Sequence, residues 1–201
     1  SLEEFQIIQH PDNALTTGVK FSSNSKFLIV NSWLGDAADG TGSVYVYENI
    51  NNQFVKKGNA VHGVQAMTSN PPLAGSMGSH LGSGRAIRND GNQIVVSSVY
   101  DPPTSNGQSN KGVLYTYNYN AESQLWEKEA NDVEGTIHLG HVLHLSPNGD
   151  ELFASEIYGT PKLKIFERIS DKWELKQRID VPQDLIRAKR WGAFHITPNL
   201  D

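Results

Sequence analysis

One repeated sequence motif constrains the possible folds of this chain more than any other feature. It occurs three times in full, and a fourth copy begins near the end of the sequence. It consists of an apolar strand, a turn rich in Ser, Pro, Asn, Asp or Gly, and a second apolar strand directly afterwards. A unit that recurs on this scale is typical of solenoids and propellers, in which each copy packs on the next. The copies of the turn, with the strand end before it, are Phe21–Lys26, Ile87–Asn92, Leu145–Asp150 and Ile196–Asp201.

Hydrophobic periodicity predicts four strands in each of the three complete copies. Ser43–Tyr47 and Val113–Tyr117 alternate in period 2, which is typical of strands with one buried face. Phe27–Ser32 is more continuously apolar, and we expect it to be covered on both sides. The other predicted strands are Gly18–Phe21, Phe54–Lys57, Arg85–Ile87, Gln93–Ser98, Leu125–Glu129, Val142–Leu145, Glu151–Ser155, Leu163–Phe166 and Trp173–Gln177.

The repeat predicts an all-β fold, a β-propeller of four-stranded antiparallel blades. We expect about three full blades plus partial blades at both ends, all in one segment over residues 1–201. The full blades would cover 17–60, 82–130 and 140–180, and the partial blades 1–10 and 191–201. Propellers typically have about 4–8 blades. We therefore expect a fragment of a longer polypeptide, or a ring completed by other copies of the chain.

Composition excludes several classes of function. The net charge of -5 argues against nucleic-acid binding, which normally requires a basic face. No apolar run approaches the roughly 18 residues of a membrane span. The chain has no Cys, so disulfides and Cys-based zinc sites are excluded.

The second copy resembles the FG-GAP repeat, the blade unit of integrin-alpha-type β-propellers. Its residues Leu81–Ile87 are followed by the turn Asn89–Gly91 and the apolar strand Ile94–Ser98. The first copy adds Ser43–Glu48 after a loop rich in Asp and Gly, and the third keeps Leu139-Gly140 and Ile165–Glu167. This resemblance covers nearly the whole chain. It implies a propeller and no particular function, because one fold hosts many functions.

The resemblance also implies calcium as the one cofactor to consider. FG-GAP repeats often bind calcium in the loop between the second and third strands. The matching set here is Asp36, Asp39 and the carbonyl of Thr41. Calcium requires several oxygens converging at about 2.3–2.6 Å. The alternative is a turn in which the Asp side chains cap local N–H groups.

Histidines are the main candidates for catalytic or metal chemistry. His138, His141 and His144 are spaced by three, and His195 matches His144 in the repeat. Residues three apart in a strand point to opposite faces, so we expect His141 to lie apart from the other two. His144 and His195 would then face a central channel together. No serine nucleophile motif or phosphate loop is present.

Aromatic residues after the second strand are the candidate contact residues. Trp33, Tyr100 and Tyr158 occupy similar positions in the three copies and could stack on a sugar or anchor a protein. The sequence therefore favours a non-catalytic interaction or structural module of a secreted, cell-surface or virion-surface protein. Its partner would be a protein or a glycan, or further copies of the chain. The alternatives are a lectin-like propeller and a channel-site hydrolase or lyase.

Overall fold

The computed structural model describes residues 6–8, 18–32, 41–63, 81–99, 111–156 and 161–181. Regular structure in these residues is entirely β, and no helix capable of spanning a membrane occurs among them. The strands are β1 (Gly18–Phe21), β2 (Phe27–Ser32), β3 (Ser43–Ile50), β4 (Gln53–Lys56), β5 (Val61–His62), β6 (Leu81–Ile87), β7 (Gln93–Ser98), β8 (Val113–Asn120), β9 (Leu125–Lys128), β10 (Val133–Glu134), β11 (Leu139–Leu145), β12 (Glu151–Glu156), β13 (Lys162–Ile169) and β14 (Lys172–Asp180).

The strands form three antiparallel sheets that follow one another along the chain. The first sheet pairs β1-β2-β3-β4, the second β6-β7-β8-β9 and the third β11-β12-β13-β14. The two-residue strands β5 and β10 add to β3 and β8. The three repeats of the sequence thus correspond to three sheets of the same topology.

The second strand of the middle sheet supplies side chains to both neighbouring sheets. In β7, Ile94 and Val96 join the core cluster shared with the first sheet, whereas Val95 joins the cluster shared with the third. In β2, all six residues are buried, as expected for a strand covered on both faces. Because the side-chain period is two, this alternation places the middle sheet between two apolar interfaces.

Tryptophans on the last strands of the second and third sheets each bind the preceding sheet. The Trp126 backbone N–H donates to Asn59 Oδ1 (2.6 Å), and its Nε1 donates to the carbonyl of Lys57 (2.9 Å). Trp173 Nε1 donates to Thr116 Oγ1 (2.9 Å), and the guanidinium of Arg168 lies 4.9 Å from the Trp173 ring. Each indole thus buries its apolar area between sheets while its polar N–H is satisfied.

A glycine with positive φ is the second residue of the first strand in both the second and the third sheets. Gly82 has a φ of 88° and Gly140 a φ of 99°, and β6 and β11 both change register just after them. A Cβ on Gly140 would lie 2.5 Å from Ser97 Cβ, so a side chain has no room. Ser97 Oγ accepts from Gly84 N (2.7 Å) and donates to the Gly140 carbonyl (2.6 Å), which joins the two sheets.

Candidate functional site

The candidate site lies at the edge of the third sheet where β11 starts and β12 ends, here called the upper edge. Glu156, the last residue of β12, is paired in register with Leu139, the first residue of β11. Glu156 Oε1 accepts from the backbone N–H of Thr136 (2.8 Å), from Thr136 Oγ1, and from Ile137 N (3.2 Å). The carboxylate thereby fixes the segment that leads from the second sheet into the third.

Glu156 also forms a buried ion pair. Its Oε2 lies 3.0 Å from Lys164 Nζ, and the two side chains are only 5% and 9% exposed. Burial acts to raise the pKa of the Glu156 carboxyl, but the hydrogen bonds from Thr136, Lys164 and Ile137 outweigh it and lower the pKa to about 2. Glu156 is therefore fully ionised at neutral pH. A carboxylate satisfied in this way is a positioning group and a poor proton acceptor.

Two histidines stack on each other just after the Thr136–Ile137 segment that Glu156 anchors. The rings of His138 and His141 are 5.9 Å apart and nearly parallel, with an interplanar angle of 5°. Burial lowers the pKa of His138, and burial followed by repulsion from His138 lowers the pKa of His141 to about 4. Both imidazoles are therefore neutral at pH 7. A neutral imidazole can accept a proton from water.

The expectation that His141 lies apart from His138 is wrong. It rested on strict alternation, but His138 has a φ of 48° and Gly140 a φ of 99°, so the backbone is not regular there. The register shift between Leu139 and Leu143 is the direct sign of this irregularity. The bulge brings onto one side two rings that an ideal strand would separate.

His144 packs on the neighbouring strand β12. It is 8% exposed and packs against the Phe153 ring at 5.9 Å. Its register partner Phe153 belongs to the face of β12 opposite to Ala154, which packs on the second sheet. His195, the proposed partner of His144, lies outside the described residues. The pairing of these two histidines stays a prediction.

Most residues predicted for ligand or metal contact lie outside the described part of the chain. Of the calcium set, only Thr41 is described, and its carbonyl accepts a hydrogen bond from Leu81 N (3.0 Å). The equivalent carbonyl of Lys111 accepts from Leu139 N (3.1 Å), so this contact is a repeated junction between sheets. Within the described ranges, no group of three or more His, Cys, Asp or Glu is placed to hold a metal. The residues outside are Trp33, Tyr100, Tyr158, Asp36 and Asp39.

Sequence reasoning missed the Glu156–Lys164 pair. The register shows that Glu156 stands where the second sheet has Ser98, and Lys164 where it has Tyr115. At two equivalent positions of the repeat, the third copy thus has charged residues where the second has a small residue and an aromatic one. This difference can be seen in the sequence and indicates a buried ion pair. Recognising the pair from the sequence requires knowledge of the strand register, because a loop separates the two residues and they meet only across paired strands.

Comparison with solved structures shows the fold. The chain superimposes on a candidate 6-phosphogluconolactonase from Bacteroides fragilis with a TM-score of 0.53 and 16% identity, over 83% of this chain and 39% of that one. A periplasmic gluconolactonase from Pseudomonas aeruginosa gives 0.43 and 16%, over 69% and 34%. The β-propeller domain of Myceliophthora thermophila Cps50 (Swd1) gives 0.45 and 13%, over 84% and 38%. The chain spans under two fifths of the length of these three propellers.

No model of a known protein family matches the sequence, and no curated protein matches it. The expectation of a non-catalytic interaction module is corrected by the comparison with the Bacteroides fragilis structure, whose description is that of an enzyme. At 16% identity the likeness extends to the fold and carries no activity across. The chain is all-β, its described strands form antiparallel sheets with four-stranded paths, and its fold is that of a β-propeller.

Proposed function

We propose that the chain is part of a hydrolase that opens a cyclic ester, with its catalytic base at the upper edge of the third sheet. The observation that carries this proposal is the stack of His138 and His141, which follows directly on the Thr136–Ile137 segment anchored by Glu156. Titratable groups with strongly shifted pKa values cluster at functional sites. The description of the Bacteroides fragilis propeller as a candidate 6-phosphogluconolactonase supports a sugar lactone as the substrate class.

Each group has a defined part in this reaction. Neutral His141 accepts a proton from water while the water oxygen forms a bond to the lactone carbonyl carbon. The ring C–O bond then breaks, and the proton passes from His141 to the departing alkoxide, which gives a hydroxy acid. His138 holds the His141 ring by stacking. Glu156 and Lys164 fix the Thr136–Ile137 segment that leads into the histidines.

The test is lactone hydrolysis by the purified chain, followed as acid release at constant pH. Glucono-δ-lactone and its 6-phosphate are the substrates, and the spontaneous rate is subtracted. We expect catalysis that falls at least about 100-fold in His141→Gln, since general-base catalysis contributes about 10²–10⁴-fold. The matched control is His62→Gln, at an exposed histidine of the first sheet, which keeps full activity.

The pH profile separates a base from a structural residue. Because the pKa of His141 is lowered to about 4, its neutral form is lost only as the pH falls toward 4, and kcat/KM should decline there. Lactone hydrolysis no faster than the spontaneous rate at any pH would overturn the proposal. So would a His141→Gln variant with full activity.

The remaining expectations stay proposals of narrower scope. The FG-GAP resemblance rests on the sequence motif alone, in which Gly82 and Gly140 follow Leu81 and Leu139. Asp36 and Asp39 of the calcium set, and the aromatic residues of the lectin alternative, lie outside the described part of the chain. The extracellular location is proposed from the resemblance and from the loops rich in Asn, Ser and Gly. Calcium at millimolar concentration should raise the melting temperature if Asp36, Asp39 and Thr41 bind it, because a ligand of the folded state stabilises it.

A further inference from the structure

The first strands of the first two sheets bring two cations together across the seam between those sheets. Lys20 is paired with Ile29, which packs toward the second sheet, and Arg85 is paired with Val96, which packs toward the first. Because side chains of paired residues share a face, Lys20 and Arg85 extend toward each other. The seam therefore holds two positive charges on the side of the molecule where the first strands run.

Arg85 is fixed in place by backbone carbonyls. Its Nη2 donates to the carbonyl of Val19 (3.2 Å), and its Nη1 donates to those of Gly82 (3.3 Å) and Ser83 (3.4 Å). A Cβ on Gly18 would lie 2.1 Å from Arg85 Nη2, so the absence of a side chain at residue 18 makes room for the guanidinium. The cation is thus preorganised, and its ordering cost is met before any ligand binds.

No described carboxylate neutralises these cations. Ion pairs of the described residues involve other lysines and arginines, and neither Lys20 nor Arg85 is among them. Burial, followed by repulsion from Arg85, lowers the pKa of Lys20, and burial lowers the pKa of Arg85. Two cations that destabilise each other would both gain from an anion placed between them.

We propose that Lys20 and Arg85 form an anion-binding site at this seam, and that the site takes a small oxyanion, either a carboxylate or a phosphate monoester. Arg85 supplies a fixed positive charge, and Lys20 supplies a mobile ammonium that moves onto the ligand. The chain carries a net charge of -5, so long-range attraction does not favour anions and the recognition must be local. This proposal stands apart from the hydrolase proposal, because binding is measured without turnover.

The test is calorimetric titration of the full chain with inorganic phosphate, repeated with glucose 6-phosphate and with gluconate, all at one ionic strength set with chloride. We expect saturable binding that is weakened about tenfold in Lys20→Met, in keeping with the loss of one charge-assisted hydrogen bond. The matched control is Lys172→Met, which removes the same charge from the start of β14 and keeps the affinity. Tighter binding of gluconate than of the phosphates identifies a carboxylate ligand, and the reverse order identifies a phosphate.

A second measurement protects the test against a variant that perturbs the fold. The pKa of Lys20, followed by NMR of its side chain, should rise when phosphate is added to the wild-type chain, because an anion favours the protonated amine. The proposal is overturned if the wild-type chain shows no saturable binding, or if Lys20→Met binds as tightly as wild type. Phosphate binding in a chain without lactonase activity would uphold this site while rejecting the hydrolase.

Discussion

At the scale of single residues, the third sheet differs from the second at two neighbouring buried positions. Glu156 replaces the serine that the second sheet carries at residue 98, and Lys164 replaces Tyr115. Two buried charges cost desolvation energy that their mutual attraction only partly offsets. The hydrogen bonds from Thr136 and Ile137 to Glu156 Oε1 further stabilise the ionised carboxylate.

Replacing only one residue of the Glu156–Lys164 pair should destabilise the fold more than replacing both. Glu156→Gln leaves Lys164 buried without its counter-charge, and we expect a loss of about 3–5 kcal/mol in the free energy of unfolding. The double variant Glu156→Ser, Lys164→Tyr copies the second sheet and should recover at least half of that loss. Urea titrations of the three chains measure this. A double variant less stable than Glu156→Gln would contradict the assignment of equivalent positions.

The pH dependence of folding stability tests the contribution of Glu156 independently. The folded pKa of Glu156 is about 2, below the ordinary value of 4.5, so its contribution to stability is present above pH 4.5 and is lost as the pH falls toward 2. In Glu156→Gln, the decline in stability across that pH interval should be shallower than in wild type.

At the scale of elements, the strands were predictable and the junctions between them were not. Period-2 alternation gave β3 as Ser43–Tyr47 and β13 as Leu163–Phe166, and the observed strands contain these ranges and extend beyond them. The start of β11 was predicted at Val142 rather than Leu139, because a bulge built on Gly140 breaks the alternation. Side-chain pattern reports which face is buried, whereas a bulge depends on backbone dihedral angles that the pattern does not carry.

Among the hydroxyl groups at these junctions, we expect the removal of that of Ser97 to lower the free energy of unfolding most. Ser97→Ala leaves Gly84 N and the Gly140 carbonyl without their partner in a buried setting, and we expect a loss of about 1–3 kcal/mol. Ser123→Ala, at an exposed turn of the same sheet, is the control and should change stability by less than about 0.5 kcal/mol. If the two substitutions lower the melting temperature equally, the hydrogen bonds of Ser97 contribute nothing to stability.

At the scale of the whole molecule, the middle sheet couples its neighbours. Its β7 supplies one apolar cluster to the first sheet and another to the third, so neither outer sheet can lose its interface without exposing part of the second. The candidate histidine site was not predictable at this scale from the sequence. It depends on how the segment after β10 meets the end of β12, which is a contact between two repeats.

This coupling predicts one cooperative unfolding transition for the described sheets. Trp126→Ala removes a large side chain at the interface of the first two sheets and should cost about 3–5 kcal/mol, whereas Trp126→Phe should cost less. Circular dichroism and fluorescence of the remaining tryptophans should still give coincident curves. Two separated transitions in Trp126→Ala would show that the sheets unfold independently.

The glycine at each contact between successive sheets has a consequence for how such chains gain or lose repeat units. Gly82 lies against Asn31 of the preceding sheet in the way that Gly140 lies against Ser97, so the same joint is made twice. A junction built in the same way at both described steps does not fix the number of units that it connects. Duplication of one unit in frame would extend the series by copying an existing interface, and selection would not have to create a new one. The number of units in such a protein is therefore a property of its evolutionary history and of ring closure, and a single unit does not encode it.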